Sequence, residues 1–147
     1  MKISGNSIFL ILLGLAFVGL GVMSLRQTNA LLESKSVATA VVTESRISPT
    51  KRETLYEVRY LLAPNAQTPP VGRSDFFGRK DLWSSLPEEE WDQANKTKRL
   101  AVRYDPANIS NNAPVAQLPK AYDAWAAIGG GGLLLLCLIF IKPRAKA

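Results

Sequence analysis

Two uncharged apolar runs bracket this chain and leave its polar residues in the middle. Residues 8–25 contain no charge and one hydroxyl, Ser24, and residues 124–141 contain no charge at all. Each run is 18 residues long, which as a helix is about 27 Å, close to the roughly 30 Å hydrocarbon core of a bilayer. Both runs therefore qualify as transmembrane helices. A core helix is a poor account of the second run, because it is apolar on every side and a domain this small has no such interior. A cleaved signal peptide is a poor account of the first, which exceeds the usual h-region of about 7–15 residues. The one cleavage candidate, Thr28-Asn29-Ala30, has only a marginal small residue at its −3 position.

The expected organisation has three parts. Residues 1–26 are a cytoplasmic N-terminus and first span, 27–121 a β-rich extramembrane domain, and 122–147 a second span with a basic tail. Lys142, Arg144 and Lys146 follow the second span, against Lys120 and Asp123 before it. Basic residues mark the cytoplasmic side, so the C-terminus is expected inside. Two spans then return the N-terminus to the same side, although Arg26 and Lys35 argue weakly against this. The middle domain is expected to face the periplasm or the cell exterior.

The net charge of +6 invites a nucleic-acid reading, which its distribution removes. Lys2, Lys142, Arg144 and Lys146 supply four of the 18 basic residues, leaving 14 in residues 26–123 against 12 acids there. That near balance is a solvated surface with lipid-facing tails, not a phosphate-binding patch. Nor are aromatic and basic residues interleaved as single-strand binding requires. The chain has no histidine, so histidine triads, ligands and pH switches are excluded together. Its one cysteine, Cys137, lies in the second apolar run, so no internal disulfide forms and the middle domain depends on its core.

Within the middle domain the apolar pattern alternates. Residues 36–47 are rich in valine and threonine, with Val37, Thr39, Val41 and Thr43 on one face and Ala38, Ala40 and Val42 on the other. Residues 54–62 set Tyr56, Val58, Tyr60 and Leu62 against Leu55, Glu57, Arg59 and Leu61. Both read as strands, joined as a hairpin through a turn at Pro49. A shorter strand is expected at 71–77, with Phe76 and Phe77 as anchors. Ser85 and Glu88 match a capping box with Pro87 in the first turn, predicting a helix over 86–96. Glu88, Glu89 and Glu90 then lie in a dipole-favoured, solvated first turn rather than a metal site. Leu100, Val102 and Tyr104 alternate as a further strand. Asp105-Pro106-Ala107-Asn108 carries the residue order of a type I turn, and residues 111–118 follow as a loop or a final edge strand. The fold class expected is membrane α+β: two spans flanking a small, mainly antiparallel domain of about five strands and one short helix.

Glycines on both runs, Gly14 and Gly21 on the first and Gly129, Gly130 and Gly132 on the second, allow close helix packing on each other or on a partner. Equally, the glycine run at 129–132 can simply loosen the helix near the interface. Tyr122 and Trp125, with Lys142 and Arg144 at the far end, sit where interfacial anchors belong.

The order of span, "TAVVTESR" strand, "YEVRYLL" strand, helix with Trp91, "LAVRYDPANIS" and span resembles a bacterial domain-of-unknown-function family of two-span membrane proteins. Val102, Tyr104, Asp105, Pro106 and Asn108 carry the family's V-x-Y-[DNL]-P-x-N-P segment. Ile109 replaces its second proline, and "NKTKR" stands where a glycine usually precedes the strand. The resemblance implies architecture and location, with no catalytic, cofactor-binding or metal residues. No phosphate loop, paired cysteine or nucleophile elbow is present. The expected function is therefore non-enzymatic: a binding or scaffold module with a protein partner. The alternative is an accessory subunit of a membrane complex, held by its glycine-rich helices. Oligomeric state is open.

Overall fold

The computed structural model describes residues 5–75 and 77–140. They fall into two units: the N-terminal helix as far as Arg26 together with the segment from Lys120 on, and Gln27–Pro119. Phe76, Lys142 and Arg144 lie outside the described residues.

The first unit is two helices, α1 (Gly5–Glu33) and α3 (Ala121–Phe140). Proline-free runs of Leu, Ile, Ala and Met favour continuous helix. Among the described residues, α1 is the one helix long and apolar enough to cross a membrane; its most apolar stretch has a mean hydropathy of 2.6 and is 11% buried.

The second unit is built on a five-stranded sheet, antiparallel throughout, in the order β3-β2-β1-β4-β5. The strands are β1 (Val37–Pro49), β2 (Thr54–Leu61), β3 (Ser84–Leu86), β4 (Arg99–Asp105) and β5 (Asn108–Pro114). Its inner face carries the core: Ala40, Val42, Val58, Tyr60, Leu62, Leu86, Leu100 and Val102, with Ala94 of α2 (Glu88–Thr97) packed on it. Trp91 of α2 lies beside Tyr56, ring centroids 5.6 Å apart, and its indole N–H donates to the Glu57 carbonyl at 3.2 Å.

Strict alternation along β1 cannot hold. Ala38, Ala40 and Val42 point inward, so simple parity would turn Glu44 and Arg46 inward as well, at several kcal/mol for each unpaired charge. A bulge at Thr43 prevents this. Val42 opposes Tyr60, yet Glu44 opposes Arg59 and Arg46 opposes Glu57. The extra residue returns both charges to the outer face and brings Ser45 inward beside Val58, as bulges re-aim side chains.

The last two turns of α1 belong to the second unit, where Leu31 is buried. Arg103 Nη1 donates to the Leu32 carbonyl at 3.3 Å, Asn111 Nδ2 to the Gln27 carbonyl at 2.9 Å, and Ser34 Oγ to the Tyr104 carbonyl at 2.7 Å. A cation at a helix C-terminus also complements its dipole.

Three local expectations need correction. Among the described residues of 71–77 no strand forms; Val71 alone bridges, to Leu62. The capping box at Ser85 does not form, because residues 84–86 are spent pairing with β2 as β3. Pro87 takes the cap position instead, without a side-chain hydrogen bond, and the helix starts two residues later than the pattern implies. Of the loop and edge-strand alternatives for 111–118, the edge strand forms, as β5, and it starts earlier than expected, at Asn108.

Candidate functional site

β4 and β5 are joined by a two-residue turn, Pro106-Ala107, with Asp105 opposite Asn108. The Asp105 carboxylate accepts the Ala107 N–H at 2.9 Å. Neither turn residue has a positive φ, and turns of that hand match strand twist poorly. A register shift between Tyr104 and Asp105 absorbs the mismatch. Val102 is in the core and Tyr104 packs against it, while Pro106 and Asn108 are exposed. The motif residues thus close a hairpin and offer no cluster of reactive groups.

The outer face of the sheet concentrates polar chemistry. Arg46 Nε meets Glu57 Oε2 at 2.7 Å, and Arg59 Nη1 meets Glu44 Oε2 at 3.3 Å. The Arg46 guanidinium, backed by a hydrogen bond from Ser48, holds the Glu57 carboxyl below its ordinary range against the opposing effect of burial. Trp83 lies against both guanidinium groups, 4.0 Å from Arg46 and 4.5 Å from Arg59, within cation–π range. Beside them a cavity of about 240 Å³ is lined by Thr43, Glu44, Arg59, Tyr60, Leu61 and Asp81. Sequence pattern does not single out Trp83; its one signal is an aromatic placed one residue before a strand whose partner strand carries Glu57 and Arg59.

Inside the sheet, Tyr60 Oη donates to Asn112 Oδ1 at 2.9 Å, and Asn112 Nδ2 donates to the Ile109 carbonyl at 2.8 Å. Burial pushes the Tyr60 phenol up to about 12, with Arg73 and Ser84 opposing. Arg73 Nη1 in turn donates to the buried Ser84 hydroxyl at 3.1 Å. These contacts satisfy buried polar groups; they assemble no nucleophile with a base. Among the described residues no cluster of three or more His, Cys, Asp or Glu is placed to hold a metal.

In the helical unit, close approach selects particular glycines. A Cβ on Gly21 would lie 2.6 Å from Ile128 Cγ1, and one on Gly14 would lie 2.8 Å from the Leu135 side chain. One on Gly131 would lie 2.9 Å from the Gly14 carbonyl. Around Gly129, Gly130 and Gly132 there is open space, so the expected packing role does not fall on them within this chain; it falls on Gly131. The spacing Ala124, Ile128, Gly131, Leu135 is the 4-3-4 seam of helices packed at a shallow angle, and the pairings make α1 and α3 antiparallel. That period, read along the second run, picks out Gly131 from the glycine run. Tyr122 and Trp125 are exposed on the first turns of α3.

No family model, curated protein or solved structure matches this chain.

Proposed function

We propose that the chain is a non-enzymatic two-pass protein of a bacterial inner membrane whose extracytoplasmic β domain is a binding or scaffold module. The observation that carries this reading is the outer sheet face. It is rich in arginine with a tryptophan at one end, and among the described residues it holds no reactive constellation and leaves Val37, Thr39 and Val41 exposed along its centre. Trp and Arg are the side chains that dominate binding energy when a partner excludes water from them.

Membrane anchoring rests on α1, which is long and apolar enough to span, and on α3 as the second span. The basic cluster after residue 141 sets both termini inside, and Tyr122 and Trp125 serve as interfacial anchors. The accessory-subunit reading draws on Gly129, Gly130 and Gly132, which face open space, although Gly14, Gly21 and Gly131 are already used between α1 and α3.

A detergent-solubilised pull-down separates the two readings. Partners should be retained by Gly130→Leu and lost on removal of residues 36–118. Loss with Gly130→Leu alone would favour the subunit reading, and retention by both variants would count against each.

A further inference from the structure

The outward side of the sheet is engaged at both ends and bare between them. Trp83 lies over the β1–β2 end, against Arg46 and Arg59. The last turns of α1 are bonded to Arg103 and Asn111 at the β4–β5 end. The bare stretch has Val37, Thr39 and Val41 of β1 along its middle, 50% and 57% exposed at the two valines. Leu61 flanks Val41 on β2, and Arg99, Ala101 and Arg103 run alongside on β4.

We infer that this trough takes an acidic amphipathic helix from another protein, an inference that rests on the binding-module reading. Three features select that occupant. The first is the backbone. β1 is paired on both sides, to β2 and β4, so the floor has no free edge and cannot accept an added strand. A sheet face instead takes a helix through side-chain packing.

Size is the second feature. The outward rows of β2 and β4 are two strand spacings apart, about 9.6 Å, which matches a helix about 10 Å across. From Val37 to Val41 the floor is about 13 Å long, room for two to three turns.

Charge is the third. Two acids on this face are paired, Glu44 with Arg59 and Glu57 with Arg46, while Asp81, which lines the cavity beside Leu61, has no ion pair among the described residues. Among the described residues Arg99 and Lys35 are exposed with no acidic partner, and Arg103 gives its hydrogen bond to a neutral carbonyl. Glu33, likewise without an ion pair among the described residues, brings the unpaired carboxylates here to two, against the three cations Arg99, Lys35 and Arg103. The surplus is positive and surrounds aliphatic side chains. Carboxylates flanking an aliphatic stripe complement it, steering the encounter and fixing the register.

The test places a benzophenone photoprobe at Thr39 of the full chain in its native membrane and identifies the cross-linked peptide by mass spectrometry. The expected product is a segment of another protein with aliphatic residues at helical spacing and flanking Asp or Glu. Its yield should fall about tenfold in Arg99→Glu, the loss of one well-placed charge contact, and persist in Arg99→Lys. Cross-links only to lipid or to a second copy of this chain, a segment lacking acids, or a yield indifferent to Arg99→Glu would each overturn the inference. If the probe finds nothing while pull-down partners still require residues 36–118, the trough is wrong and the binding module stands. If that requirement is also absent, both fall.

Discussion

Deleting Ser45 should unfold the β domain at denaturant concentrations the parent tolerates, whereas deleting Thr43 two residues earlier should leave it nearly as stable. The difference follows from the bulge. Without Thr43, Val42 is followed directly by Glu44, and the pairs Val42–Tyr60, Glu44–Arg59 and Ser45–Val58 become an uninterrupted ladder with every side chain on its present face. What is lost is local twist and a long hydrogen bond from Thr43 Oγ1 to the Arg59 carbonyl at 3.3 Å, a change within about 1 kcal/mol. Without Ser45 no such repair exists. If Arg46 stays opposite Glu57, Glu44 falls opposite Val58, which has no exposed surface. If Glu44 stays opposite Arg59, Arg46 takes that inward place. Either outcome buries a charge stripped of its partner, at about 3–5 kcal/mol. Urea unfolding of the full chain in detergent, followed by tryptophan fluorescence, reads the contrast. Equal midpoints for the two deletions would contradict the bulge.

Tyr60 should make the domain fail in alkali. Its phenol is raised from 10.0 to about 12 in the folded chain, mainly because burial disfavours the phenolate. A raised folded value means that the stabilisation is complete below pH 10 and is lost as the pH climbs from 10 towards 12. At 1.36 kcal/mol per unit, the loss is on the order of 2–3 kcal/mol. Tyr60→Phe removes the titration. The variant should be less stable by about 1–2 kcal/mol near neutrality, where Asn112 Oδ1 loses its donor, yet its stability should fall less between pH 10 and 12. Parallel stability curves for parent and variant across that interval would show that Tyr60 is not the responsible group.

Much of this architecture is written in short-range pattern. The alternation from Tyr56 to Leu62 and from Leu100 to Tyr104 defines inner faces that the core then fills, because a strand's period leaves apolar residues one side to occupy. The two apolar runs likewise declare α1 and α3. What escaped the pattern was decided by pairing between distant segments. Ser84–Leu86 reads as a helix cap from its own residues, but β2 offers it an edge, and tertiary pairing overrode the local signal. Asn108–Pro114 looks like turn and loop because asparagine and proline dominate it. It becomes a strand because β4 presents a ladder and Asn112 has Tyr60 to meet.

The outer face was half legible for the same reason. Glu57 and Arg59 announced a wet side to β2, but their partners Glu44 and Arg46 share the parity of the buried alanines on β1. Only the conflict between that parity and their charge hints at a bulge. Nothing in the local sequence places Trp83 over them.

An extracytoplasmic binding module requires this sheet to lie outside the cytoplasm. Intact spheroplasts expressing the full chain with Cys137→Ser and Lys51→Cys, in the exposed turn between β1 and β2, can be treated with a membrane-impermeant maleimide. A two-pass chain with both termini inside predicts labelling of residue 51 before any permeabilisation. Labelling that appears only after the membrane is opened would put the sheet in the cytoplasm and contradict the account.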